Sequence, residues 1–159
     1  MKKKTECLLA ACTGKTVPLS KVPDEVFAAG LLGEGIGIEP TEGRFFAPVG
    51  GTITSVTDSR HAFTLMSDNG TDVLVHIGVD TVSLAGEGFV SHVSAGERVS
   101  EGQLIAEADL DLIRSRGLCA ICSVVVTEPE AIENIEYKPG TCIGGKDAVM
   151  TYMVSGRRT

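Results

Sequence analysis

SRHAFTLMSDNGTDVLVHIGVDTVSLAGEGF, residues 59–89, is the stretch on which the predicted fold of this chain depends. Two runs rich in β-forming residues lie on either side of Ser-Asp-Asn-Gly at 67–70, a composition that is typical of a tight turn. The stretch therefore predicts a β-hairpin. His61 begins its first strand and His76 lies near the end of its second, so the hairpin is expected to bring two imidazoles together.

The length of the turn decides how the two histidines face each other. A two-residue loop of Asp68 and Asn69 places His61 directly opposite His76, with Cβ atoms about 4.5–5.5 Å apart. A three-residue loop that includes Gly70 shifts the register by one residue, and the two rings then need a second bulge to share a face. The sequence leaves both registers open.

The remainder of the chain predicts an all-β fold. Nineteen glycines separate short β-branched runs, a pattern that is typical of many short strands in an antiparallel β-sandwich or barrel. Strands are expected at residues 7–11, 15–19, 36–39, 44–47, 51–57, 61–67, 71–77, 80–84, 89–93, 103–106, 121–126, 141–143 and 148–154. Short helices are expected at 109–117, which has an acidic start and a basic end, and at 23–29, with Pro23 at the first position. A further helical turn is expected at 129–134.

Two segments of the chain are weakly similar to each other. Residues 8–19 and 45–56 align without gaps, and the shared positions include Gly14 and Gly51. Their apolar residues follow the same pattern. A duplicated β motif is the structure that this similarity predicts.

Bulk composition excludes several classes of protein. A chain of 159 residues has the size of one domain, so residues 1–159 are expected to form a single unit. The net charge of −7 argues against nucleic acid as a partner, because neutralising phosphates requires clustered Lys and Arg. No apolar run approaches the ~18 residues of a membrane span. The apolar start, Cys7–Cys12, is too short for a signal peptide and predicts a first strand.

The cysteines indicate the redox compartment. Five are present, and an odd number favours a reducing cytoplasm over a disulfide framework. Cys119 and Cys122 have the spacing of a redox or zinc motif, but neither a second ligand pair nor a thioredoxin-like context accompanies them. We expect both to be structural thiols.

The paired imidazoles suit a site that handles one labile charged group. Dedicated zinc sites need three or four ligands, and neither His92 nor Asp80 completes such a set, so only adventitious zinc binding by His61 and His76 is expected. A neutral imidazole is a competent nucleophile towards a phosphoryl group, and a second imidazole N–H, together with the backbone N–H of Gly78, can stabilise that group. No nucleotide-binding phosphate loop is present in the sequence, so the expected donor is another phosphoprotein.

Several motifs together resemble a known family, the glucose-type enzyme IIA component of the bacterial phosphoenolpyruvate-dependent sugar phosphotransferase system. The resemblance extends over about residues 8–154. Its most specific motif is LVHIGVDTV at 74–82, which is similar to the family's phosphorylation-site signature. The other motifs follow in the family's order: VPDEVF at 22–27, GEGIGI at 33–38, APVGG at 47–51, HAF at 61–63 and GEGF at 86–89.

The resemblance implies roles for individual residues. His76 corresponds to the phosphorylated histidine, which reacts through Nε2, and His61 corresponds to the auxiliary histidine that stabilises the phosphoryl group. Ser59 stands where the family often has a threonine, and it is expected to orient His61. Partner contacts are expected at Asp24, Asp80, Phe27, Val26, Phe63 and Ile77. The two aspartates would pair with arginines, and turn or cap roles remain the alternative for them.

The resemblance also implies partners and a location. Such a protein is a phosphotransferase that accepts a phosphoryl group from the histidine phosphocarrier protein and passes it to the IIB domain of a sugar permease. Regulatory partners that respond to its phosphorylation are a further expectation. No cofactor is expected, and the protein is expected to be cytoplasmic and monomeric, without direct membrane insertion. The chain corresponds either to a free-standing protein or to part of a larger permease. Biotinyl and lipoyl carrier domains share some motifs but need a lysine at a hairpin tip, and residues 61–80 contain none.

Overall fold

The computed structural model describes residues 4–154, which form fourteen strands and two short α-helices. The strands are β1 (Lys4–Leu9), β2 (Gly14–Pro18), β3 (Glu34–Pro40), β4 (Arg44–Phe46), β5 (Gly51–Val56), β6 (Ala62–Ser67), β7 (Asp72–Ile77), β8 (Phe89–Ser91), β9 (Arg98–Val99), β10 (Leu104–Ala108), β11 (Cys122–Val126), β12 (Ile132–Tyr137), β13 (Thr141–Cys142) and β14 (Ala148–Val154). The helices are α1 (Glu25–Ala28) and α2 (Leu110–Ser115). Single 3₁₀ turns occupy Leu19–Lys21, Thr81–Leu84 and Pro129–Ala131.

The strands form three antiparallel sheets. The largest has eight strands in the order β13-β2-β3-β11-β7-β6-β5-β9, and the two smaller sheets are β1-β14-β12 and β4-β10-β8. None of the three closes on itself. The predicted all-β antiparallel sandwich is therefore confirmed, whereas the barrel alternative is wrong. No helix within residues 4–154 is long and apolar enough to cross a membrane.

One continuous core joins the three sheets. Because successive strand residues point to opposite faces, most strands contribute side chains to it from one face only. The largest side chains in this cluster with no exposed surface include Phe45, Phe63, Leu8, Ile105 and Met150. Burying one such side chain contributes about 1.5–3 kcal/mol, which lets a chain without tryptophan fold on aliphatic residues and a few phenylalanines.

The central strand β11 is buried along its whole length. Cys122, Val124 and Val126 lie in the main core. On the opposite face, a second apolar cluster forms beneath α1, and its buried members are Val22, Phe27, Val79, Ile121 and Val125. Since Ser123 of β11 pairs with His76 of β7, this outer face is also the face that carries His76.

The two similar segments of the sequence occupy equivalent positions in the fold. The N–H of Leu9 donates to the carbonyl of Pro48 at 2.8 Å, and the N–H of Phe46 donates to the carbonyl of Ala11 at 2.7 Å. Leu9 and Phe46 are matched positions in the alignment, as are Ala11 and Pro48. The hydrogen bonds are thus exchanged reciprocally between the repeats, as a duplicated β motif requires.

Glycine is required at the two matched positions of the repeats for the same structural reason. Gly14 begins β2 and Gly51 begins β5. A Cβ on Gly14 would lie 2.0 Å from the carbonyl oxygen of Glu39, and one on Gly51 would lie 2.0 Å from that of Met66. Both positions therefore require glycine, because a neighbouring strand passes too close for a side chain.

Several predicted elements need correction. A strand was expected at 80–84, but Thr81–Leu84 form a 3₁₀ turn, since the flanking residues Asp80 and Ala85 have left-handed φ angles of 60° and 52°. The helical turn expected at 129–134 ends at Ala131, where the chain enters β12. The sequence did not predict β9 or β12.

The short helices are partly as predicted. Helix α2 lies within 109–117, and the Asp109 carboxylate caps it by accepting from the N–H of Leu112. Helix α1 begins at Glu25 after the cap Asp24, so the expectation of Pro23 at the first helical position is wrong. The aspartate determines this start because its side chain accepts two backbone N–H groups that the helix leaves unpaired.

Candidate functional site

The hairpin between β6 and β7 adopts the three-residue register. Ala62, and not His61, lies opposite His76. The N–H of Ser67 donates to the carbonyl of Thr71 at 2.8 Å, which leaves residues 68–70 as the loop. Gly70 takes a φ of 89°, the left-handed conformation that a three-residue loop needs at its third position. Direct opposition of the two histidines in the ladder is therefore wrong.

The two rings nevertheless meet. His61 lies in a bend just before β6 and follows Arg60, whose φ is 60°. Its carbonyl still accepts from the N–H of Ile77 at 2.7 Å, but its side chain is outside the strand alternation. The His61 and His76 ring centroids are 5.0 Å apart with planes at 83°. The left-handed conformation of Arg60 thus brings the two rings together, which is the effect that a second bulge was expected to have.

The ring of His76 has a defined tautomer. Its Nδ1 lies 2.8 Å from the carbonyl oxygen of Gly78, and since that oxygen can only accept, the proton is on Nδ1. The lone pair of the neutral ring is then on Nε2. The N–H of Gly78 donates to the carbonyl of Ile121 at 3.0 Å. The prediction that this N–H donates to a phosphoryl group is therefore wrong. Phe27 packs edge-on against the ring, with centroids 5.1 Å apart.

His61 is the less exposed of the two residues, with 6% of its surface exposed, whereas His76 is half-buried. Nδ1 of His61 lies 2.6 Å from the Ser59 hydroxyl, as the resemblance implies, and 3.3 Å from the hydroxyl of Thr57. Sequence reasoning missed Thr57. Two side chains four residues apart in a loop meet only if the chain turns between them, and the sequence did not predict this turn.

Both histidines are neutral at pH 7. Burial, followed by the proximity of His76, lowers the pKa of His61 to about 4. Burial also lowers the pKa of His76, while its bond to Gly78 and the carboxylates of Asp24 and Asp80 act in the opposite direction. A neutral ring with a free Nε2 lone pair is the form in which histidine acts as a nucleophile.

The two aspartates differ in their local roles. The Asp24 carboxylate accepts from the N–H groups of Val26 at 2.9 Å and Phe27 at 3.3 Å, so it is a helix cap. It also acts electrostatically on His76. Asp80 is exposed, and its side chain makes no capping hydrogen bond to the 3₁₀ turn that follows it. Its carboxylate is therefore available at the surface near His76.

The apolar residues assigned to partner contacts fall into two groups. Phe63 and Ile77 have 0% exposure and belong to the main core, so a partner cannot touch their side chains, and their assignment is corrected. Phe27 is buried against His76, whereas Val26 is 43% exposed on α1. The alternation of β6 and β7 explains the correction, since Phe63 and Ile77 point to the inner face.

A shallow depression adjoins the auxiliary histidine. Its volume is about 420 Å³, and it is lined by Thr57, Asp58, Ser59, His61, Val82 and Ala85. Val82 is 59% exposed, and its place at this depression was not predicted, because residues 80–84 were expected to form a strand. The residues at 4–154 contain no cluster of three or more His, Cys, Asp or Glu side chains that could hold a metal ion. His92 lies apart, 2.7 Å from Glu107.

Comparisons with known proteins identify the family of this chain. The family model of the phosphoenolpyruvate-dependent sugar phosphotransferase system, EIIA 1, matches residues 6–132, which include both histidines. Glucose permease IIA from Mycoplasma capricolum is similar in structure, with a TM-score of 0.86 and 33% sequence identity, over 93% of this chain and 96% of that chain. The chain therefore belongs to the EIIA 1 family of the phosphoenolpyruvate-dependent sugar phosphotransferase system, in which it is a phosphoryl carrier.

Proposed function

We propose that His76 carries the phosphoryl group on Nε2. In the first step the Nε2 lone pair attacks the phosphorus of a phosphohistidine on the histidine phosphocarrier protein. The donor's P–N bond breaks, and its electron pair returns to the donor imidazole. In the second step a nucleophile on the IIB domain of a sugar permease attacks the same phosphorus, and His76 is released. The observation that carries this proposal is the bond between Nδ1 of His76 and Gly78, which leaves Nε2 as the nucleophilic nitrogen.

His61 is proposed to stabilise the group in transfer. In-line phosphoryl transfer demands positioning and neutralisation of charge on the equatorial oxygens. An N–H donor fixed beside the acceptor nitrogen supplies this without reorganisation, provided that its Nε2 carries the proton. The 5.0 Å between the ring centroids and the Ser59 hydroxyl on Nδ1 of His61 support this assignment.

The partners are proposed to dock on the rim of the site. Asp24 and Asp80 place negative charge beside His76, which suits arginines on the phosphocarrier protein. Val26 and Val82 add exposed apolar surface that a partner can cover. Residues 1–159 are proposed to act as one monomeric domain in the cytoplasm. Five cysteines that form no disulfide in residues 4–154 support a reducing compartment.

Labelling with radioactive phosphoenolpyruvate tests the proposal. The chain is mixed with enzyme I and the histidine phosphocarrier protein, and we expect acid-labile phosphate on wild type. His76→Gln should take up no label. His61→Gln should accept label but pass it to a IIB domain at least about tenfold more slowly. His92→Gln is the matched control and should behave like wild type. Full labelling of His76→Gln would refute the assignment.

A further inference from the structure

The tip of the β6–β7 hairpin, residues 68–70, makes a contact that the proposed function does not use. The side-chain Nδ2 of Asn69 donates to Oε1 of Glu6 at 3.1 Å. Glu6 belongs to β1 and is 4% exposed, and its other oxygen accepts from the hydroxyl of Tyr152. Because a carboxylate oxygen only accepts, the side chain at position 69 must present a donor to it. The amide of Asn69 thus joins the hairpin tip to β1.

This amide stands in an Asn-Gly pair, where it is least protected from chemical attack. Asparagine is a thermolabile residue, because the next backbone nitrogen can attack its side-chain Cγ. Gly70 has no Cβ to hinder that approach, and a Cβ built on it would meet no atom within 4 Å. A polar cavity of about 490 Å³, lined in part by Asn69 and Glu6, lets solvent reach the same group. In the other asparagine of the chain, Asn134, the β-branched Ile135 follows instead.

The reaction consumes water and releases ammonia. Hydroxide takes the proton of the Gly70 N–H, and this nitrogen attacks Cγ of Asn69. The new N–Cγ bond closes a succinimide ring while the Cγ–Nδ2 bond breaks, and Nδ2 leaves as ammonia after it gains a proton from water. A water molecule then adds to either ring carbonyl, and opening of the ring leaves aspartate or isoaspartate. No oxidant or reductant takes part.

We propose that Asn69 is a site of spontaneous deamidation, and that the reaction turns the contact between the hairpin tip and β1 into a repulsive one. The product carries a carboxylate where the amide was, so an acceptor faces Oε1 of Glu6 and the buried oxygen loses its donor. The neighbouring ion pair of Asp68 and Arg98 does not replace this contact, because it joins the tip to β9. The modification therefore loosens β1 from the tip.

The fold also sets the rate of the reaction. The N–H of Gly70 donates to the carbonyl of Ser67 at 2.9 Å, and this bond must open before the nitrogen can attack. The amide of Asn69 is held by Glu6 at the same time. We therefore expect the folded protein to deamidate at Asn69 more slowly than the chain unfolded in guanidinium chloride, but faster than at Asn134.

Peptide mass spectrometry of the full chain, incubated at mildly alkaline pH, follows the reaction. We expect the peptide that contains Asn69 to gain one mass unit and to become a substrate for isoaspartate-specific methylation, while the peptide that contains Asn134 stays unchanged. The chain in guanidinium chloride is the positive control for the chemistry. An unmodified Asn69 in folded protein, over a time in which the unfolded chain reacts completely, would overturn the proposed modification site. Equal rates at the two asparagines of the folded protein would overturn it as well.

Asn69→Asp isolates the consequence of the modification. Its midpoint in urea should fall by about 1 M relative to wild type, the effect of a buried acceptor that has lost its donor. Adding Glu6→Gln to Asn69→Asp exchanges donor and acceptor: the new amide donates to position 69, its oxygen still accepts from Tyr152, and the net charge equals that of wild type. This double variant should recover most of the loss. Asn134→Asp is the matched control for added charge and should stay within about 0.3 M of wild type.

Two outcomes of this comparison would overturn the repulsive contact. One is an unchanged midpoint in Asn69→Asp, and the other is a double variant no more stable than Asn69→Asp alone. If Asn69→Asp does not fold, a double variant that folds supports the contact, and a double variant that also fails to fold counts against it.

Discussion

The buried ring of His61 predicts a specific dependence of stability on pH. Its pKa is about 4 in the folded protein and about 6.5 in the unfolded chain. Between these values the unfolded state binds more protons than the folded state. The contribution of the neutral His61 ring to the free energy of unfolding is therefore fully present above pH 6.5 and is lost as the pH falls towards 4.

The magnitude follows from the same two pKa values. Linkage gives a loss of about 2 kcal/mol between pH 7 and pH 5, a range in which most carboxylates stay ionised. We expect urea unfolding of wild type to show this loss in the free energy of unfolding relative to His61→Gln. His92→Gln is the control, because it removes an exposed imidazole paired with Glu107. Parallel curves for wild type and His61→Gln between pH 7 and pH 5 would refute the reasoning.

Four further substitutions distinguish residues of the site from residues of the core. Gly78→Ala forces a side chain onto a φ of 80° and should cost about 1–3 kcal/mol in urea unfolding, so wild-type stability would contradict the need for glycine. Tyr152→Phe removes the hydroxyl that donates to the buried Glu6 carboxylate. The free energy of unfolding in urea should fall by about 1–3 kcal/mol. An unchanged free energy would mean that the carboxylate finds another donor. Phe63→Ala should cost about 3–5 kcal/mol, whereas the exposed Val26→Ala should leave stability within about 0.5 kcal/mol and slow acceptance from the phosphocarrier protein. Equal losses of stability in these last two variants would contradict the separation of core and interface.

Local pattern was sufficient for much of the fold. Glycine-punctuated β-branched runs predicted most of the strands, and the charge pattern at 109–117 predicted α2. Both signals depend on neighbouring residues alone, through turn chemistry and the alternation of side chains. The element β12 carries no such signal, because the half-buried Glu133 and the exposed Glu136 belong to a strand only through pairing with β14.

The orientation of the predicted contact residues was harder to predict than the proximity of the two histidine rings. Ile77 is adjacent to His76 in the sequence and Phe63 is two residues from His61, but both side chains point into the core. Val82 reaches the site only because residues 81–84 form a turn. Adjacency in the chain does not indicate which face a side chain takes. That face is set by register, and a shift of one residue exchanges the two faces of a strand.

The identity of the two histidines, the hairpin that carries them and the carrier chemistry are therefore already contained in residues 59–89 and the motifs around them. Folding adds their geometry. Gly70 in the left-handed conformation fixes the register, Arg60 turns His61 back towards His76, and two hydroxyls meet on its Nδ1. These features depend on distances of a few ångströms between groups that no local pattern relates, because hydrogen bonds and ring contacts require a geometry that the packed sheets determine.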